Sequence, residues 1–143
     1  MDLSKGFQIE QPEIFVPWGT AETQFQSAFE GLHLRRVSHG YFTTHCTSLG
    51  GLSHELGFHF HPRGGGVLIE LEFFRTSYLD LGASFQEFQQ HLEATFGQPM
   101  ITTSGSEGFP SHTWRLTGAD LVHFVQDRFG LEEHVRIRRT AAN

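Results

Sequence analysis

One cysteine, Cys46, and one lysine, Lys5, are all that the 143 residues hold of either type. A single cysteine excludes an intrachain disulfide, hence a small disulfide scaffold, and suits a reducing compartment, the cytoplasm. No apolar run approaches the roughly 18–20 residues that a membrane helix needs. The first ten residues carry one lysine and no apolar stretch, so no signal peptide is expected either. Positive charge is scarce: ten Lys and Arg stand against sixteen Asp and Glu, a formal charge of −6. That balance argues against nucleic acid or an anionic membrane and favours a basic partner. Gly-x-Ser-x-Gly, His-Glu-x-x-His and Cys-x-x-Cys are all missing, and no cofactor is expected.

What the chain does have is phenylalanine and histidine, fifteen and ten residues, within an apolar fraction of 38%. A chain of this size buries roughly two-thirds of its unfolded surface, so this content fills one core and excludes disorder. One domain over residues 1–143 follows.

Helical spacing of Phe25, Ala28 and Phe29, with Thr20 before it and Gly31 after, predicts a helix over 21–30. Phe85, Phe88, Leu92 and Phe96 form a second stripe. Ser84 and Glu87 have capping-box spacing, and Gly97-Gln98-Pro99 supplies a stop. The rest reads as strands over 32–37, 41–48, 52–61, 67–75, 100–104, 112–116, 121–126 and 133–138. The first dozen residues and 140–143 are expected to fray.

Alternation puts Leu52, His54, Leu56, Phe58 and Phe60 on one face of the 52–61 strand, with Ser53, Glu55, His59 and His61 on the other. On 67–75, Val67, Ile69, Leu71 and Phe73 face inward while Glu70 and Glu72 face out. The expected pairs are Phe60 with Val67, Phe58 with Ile69 and Leu56 with Leu71, since a slip of one residue would bury the glutamates. The expected core joins Leu56, Phe58, Phe60, Ile69, Leu71 and Phe73 to Phe25, Phe29, Phe85, Phe88 and Phe96.

Each half thus reads helix and four strands. Arg63 and Arg128, and Gly65 and Gly130, are each 65 residues apart at matching turns. The expectation is an α+β fold of pseudo-duplicated α-β-β-β-β units (half-repeats 20–75 and 84–139), two helices on one face of a long antiparallel sheet.

The sharpest constellation is His59-Phe60-His61. Two imidazoles at i and i+2 point to one side of a strand, and with Glu70 from the next strand they form a candidate metal set. The pattern resembles the first cupin motif. However, Pro62-Arg63-Gly64-Gly65-Gly66 stands where that motif needs its glutamate, and no second histidine motif follows. The reading preferred for the outward set Glu55, His59, His61, Glu70 and Glu72 is a partner-binding face. Cys46 follows His45, but neighbours on a strand point to opposite faces, so they make no nucleophile–base pair. Arg136, Arg138 and Arg139 with His134 read as the solvated face of a last strand, guarding an edge.

Residues 123–134, with Trp114 upstream, form a strand–turn–strand ending around Asp127-Arg128-Phe129-Gly130. This stretch resembles small bacterial proteins of the toxin-immunity type. The resemblance implies a non-catalytic acidic protein-binding module, an immunity-type inhibitor of a toxin, acting in the cytoplasm on a basic partner. The alternatives are a metal-dependent enzyme or metal-binding protein built on the His-x-His strand, and a small homo-oligomeric structural protein.

Overall fold

Alternating apolar residues near the N-terminus pair off first. The computed structural model, which describes residues 1–61, 66–77 and 80–140, joins β1 (Gly6–Ile9) to β2 (Ile14–Pro17) as an antiparallel hairpin. The elements that follow are α1 (Glu22–Ala28), β3 (Arg35–Ser38), β4 (Tyr41–Ser48), β5 (Leu52–His61), β6 (Val67–Phe74), α2 (Leu81–Phe96), β7 (Ile101–Ser104), β8 (Pro110–Leu116), β9 (Ala119–Asp127) and β10 (Leu131–Arg139). A 3-10 turn, Ser106–Gly108, precedes β8. Among the described residues the fold is α+β: two helices and a large antiparallel sheet of eight strands, in the order β3-β4-β5-β6-β10-β9-β8-β7.

Both helices and the hairpin pack on one side of that sheet. Phe25 of α1 stacks among Phe42, Phe58 and Phe60 at centroid distances of 5.6, 4.6 and 5.0 Å. Phe88 and Leu92 of α2 are buried over the other half, and Phe7 of β1 meets Phe73 edge-on at 5.3 Å. No helix among the described residues is long and apolar enough to cross a membrane.

Several expectations are corrected by packing. The first dozen residues do not fray: Leu3, Phe7 and Ile9 are buried, and the Trp18 indole N–H donates to the Leu3 carbonyl at 2.8 Å. Helix α2 starts at Leu81, with Asp80 as the cap accepting from the Gly82 N–H at 2.9 Å. Ser84 is already inside the helix and buried, so its hydroxyl turns to Glu133 instead. Helix α1 starts at Glu22, because the Thr20 carbonyl is taken by the Leu68 N–H of the sheet.

The β5–β6 register is also not the expected one. Phe60 faces Leu68, Phe58 faces Leu71 and Leu56 faces Phe73, with a register shift between His59 and Phe60. The shift leaves Ile69 without a place in the ladder. Leu68 is then fully buried, while Val67 and Ile69 are only half-buried. Leu71 and Phe73 keep their inward side, and Glu70 and Glu72 keep theirs. Finally, β10 is not an edge: it lies between β6 and β9 and joins the two four-strand meanders. The turn expected over 62–66 lies, but for Gly66, outside the described residues.

Candidate functional site

The side of the sheet away from the helices stays open, and the strand register sets its chemistry. His59 of β5 faces Glu70 of β6, which faces Arg138 of β10. Gly57 faces Glu72, which faces Arg136. On either flank, Tyr41 faces His59, and Arg138 and Arg136 face Asp120 and Val122 of β9. Cross-strand neighbours of this kind are the units that stabilise a sheet face.

Glu72 is the hub. Its Oε2 accepts from His59 Nε2 at 3.0 Å and from the Tyr41 hydroxyl at 3.3 Å, while Arg136 lies 3.8 Å from Oε1. The His59 hydrogen bond, with Arg136 beside it, holds the Glu72 carboxyl below its usual range. Burial, and then the Glu72 charge, push the Tyr41 phenol up to about 12. The Tyr41 and His59 rings stack at 4.3 Å, and the Phe124 and His134 rings at 5.0 Å. Burial, with Arg136 adding, lowers His134 below the ordinary imidazole range. Among the described residues, two nitrogens here, His134 Nε2 and Arg136 Nε, are buried without a hydrogen-bond partner, with Glu132 Oε2 standing off at 3.6 Å from the first.

Of the five residues read from sequence, the structure brings His59, Glu70 and Glu72 together. Glu55 lies toward one end of the same face, bonded to His45, and His61 is exposed at the end of β5 opposite Val67. Among the described residues, no group of three His, Cys, Asp or Glu could hold a metal ion. In the candidate set of His59, His61 and Glu70, the His59 imidazole is turned to Glu72 instead. The sequence reading missed Tyr41, Phe124, Arg136 and Arg138 as members of this face. Their outward alternation was visible, but the position of β10 beside β6 was not.

Two further constellations have the residue types of a hydrolytic relay. On β4 and β5, Ser53 Oγ lies 3.0 Å from His45 Nε2, and His45 Nδ1 bonds Glu55. These residues line part of a cleft of about 690 Å³. The order serine, imidazole, carboxylate is that of a nucleophile relay. However, the His45 side chain is 67% exposed, so water competes at every step. The N–H groups of Gly50 and Gly51, in the turn just before Ser53, are both taken by Glu10 at 2.9 and 2.8 Å and so are not free to hold an oxyanion. In the core, Glu133 accepts from Ser84 at 2.7 Å and from His123 at 2.6 Å. There the carboxylate stands between the other two, so the imidazole does not reach the serine and the order of a nucleophile relay is not met. Cys46 is buried and its thiol is pushed up to about 12, mainly by that burial, so it is no nucleophile.

No family model matches the chain, and no curated protein matches it. One solved structure is similar: YjgB, a DUF4309 family protein from Bacillus subtilis subsp. subtilis str. 168. The identity is 17% over 85% of this chain and 79% of that one, with a TM-score of 0.48.

Proposed function

We propose that this chain is a non-catalytic protein-binding module working through the open face of its eight-stranded sheet, most concretely as an immunity-type inhibitor of a bacterial toxin in the cytoplasm. The observation that carries this reading is the uncovered face itself, with Tyr41, His59, Glu72, Phe124, His134 and Arg136 held in fixed pairs. Fixed aromatic and charged side chains suit recognition because little entropy is lost when a partner docks. The two relay-like constellations fail as catalysts for the reasons given above, which favours binding over chemistry.

The face is not uniformly acidic. Glu70 and Glu72 form a negative band along β6, and Arg136 and Arg138 a positive one along β10. A basic toxin would set its cations over Glu70 and Glu72 and a carboxylate over Arg136. The pseudo-duplication belongs to the same reading. The pair Phe60–Leu68 corresponds to Val125–Glu133, and after the extra residue Ile69 the correspondence continues from Leu71 to Val135.

The test uses the product of a toxin-like neighbouring gene as ligand. Glu70→Lys with Glu72→Lys should lower its association rate about ten-fold or more and abolish protection, with the fold intact by circular dichroism. Glu30→Lys, an exposed position after α1, should change neither. Unchanged binding by the β6 double variant would overturn the reading.

A further inference from the structure

Charge on the open face changes sign from strand to strand in a pattern that is its own complement. One row runs Tyr41, His59, Glu70, Arg138, Asp120, Arg115 from β4 to β8. The next runs Thr43, Gly57, Glu72, Arg136, Val122, Thr113. The midpoint of both rows is the seam between β6 and β10. Take a second copy turned by half a rotation about an axis above that seam and parallel to the strands. The rotation exchanges the two halves of every row. Glu70 and Glu72 of one copy then lie over Arg138 and Arg136 of the other. Further out, His59 lies over Asp120, and the Tyr41 ring over the Arg115 guanidinium.

We propose that, while no foreign partner is bound, a second copy of this chain covers the open face in that two-fold, face-to-face arrangement. This rests on the reading of the face as a docking surface and names its resting occupant. A two-fold interface must be self-complementary, and here both members of each seam pair are present in one chain. The area suffices. Eight strands about 4.8 Å apart and about six residues long present on the order of 800 Å² per copy, the size of a standard interface. Stacked sheets lie about 10 Å apart, room for Glu and Arg side chains to meet. Any tilt of the axis toward the usual inter-sheet angle of about 30° misaligns the rims before the seam, so Glu70, Glu72, Arg136 and Arg138 carry the pairing.

The experiment is sedimentation velocity on the full chain with a charge swap. The wild type should be a dimer that dissociates on dilution and on raising salt. Glu70→Arg with Glu72→Arg, and separately Arg136→Glu with Arg138→Glu, should each weaken self-association about a hundred-fold, since like charges then face each other. An equimolar mixture of the two variants should recover a dimer, because every seam contact is again of opposite sign. Arg115→Glu, at an exposed rim position, weakens the dimer less and guards against a seam variant that fails to fold. A monomeric wild type at millimolar concentration, reversed variants that still dimerise, or a mixture that stays monomeric would each overturn the inference. A monomer that still neutralises the neighbouring gene's product removes only this inference. A dimer that binds no such product removes only the inhibitor reading.

Discussion

At position 54 the chain places an imidazole that is 1% exposed, bonded to the Ser48 hydroxyl at 2.5 Å and to the Glu55 carbonyl at 2.9 Å. Burial lowers its pKa to about 4 from the ordinary 6.5. The folded state therefore resists a proton that the unfolded chain accepts below pH 6.5, so stability falls as pH drops from 6.5 toward 4. His112 and His134 are lowered as well and add in the same direction. We expect His54 alone to cost about 2 kcal/mol by pH 5. Urea midpoints at pH 7.5 and 5 measure it, and His54→Gln should flatten the slope. Phe58 is a simpler case, fully buried against Phe25 and Phe29. Phe58→Ala should lose about 3–5 kcal/mol of unfolding free energy. A loss below about 1 kcal/mol would contradict its place at the centre of the core.

Among the elements, the ends carry the sharpest expectations. Asp80 caps α2 through the Gly82 N–H, so Asp80→Ala should lower stability by about 1 kcal/mol in chemical denaturation. Ser84 shows the capping-box pattern in sequence but lies a turn inside the helix, where its hydroxyl serves the buried Glu133 carboxylate. The N-terminal hairpin gives a stronger test. Removing residues 1–12 takes away buried Leu3, Phe7 and Ile9 and uncovers Phe73. At roughly 1.5–3 kcal/mol per buried side chain, the truncated chain should lose on the order of 5 kcal/mol, read as a large drop in thermal midpoint. An unchanged midpoint would mean that the hairpin does not pack on the sheet.

For the molecule as a whole, net charge and face charge act separately. The chain carries −6, yet the open face pairs its carboxylates with arginines. Long-range steering of a basic partner then comes from the whole molecule, and docking from the seam. Association with such a partner should slow as salt rises, because fields are screened beyond roughly 8–10 Å near physiological ionic strength. Dissociation should respond to the seam variants as well, beyond the slower association that reversing Glu70 and Glu72 brings by cutting the negative charge. Stopped-flow association across a salt series separates the two, and salt-independent association would show that net charge plays no part.

Element type and inward face were legible along the chain because both follow local periodicity. The strands β4 and β5 and the outward placement of His59, Glu70 and Glu72 came from alternation, and the aromatic stripes placed Phe25, Phe29, Phe85 and Phe88 in the core. A period of two says which side a residue takes, but not which strand lies alongside. The bulge at Ile69, the Asp80 cap, the packed N-terminal hairpin and the central place of β10 follow from contacts between distant segments. Hence Arg136 and Arg138, read from sequence as guards of an edge, lie beside Glu70 and Glu72. The pairing of β6 with β10, a purely tertiary choice, turned a row of outward glutamates into a face of both signs.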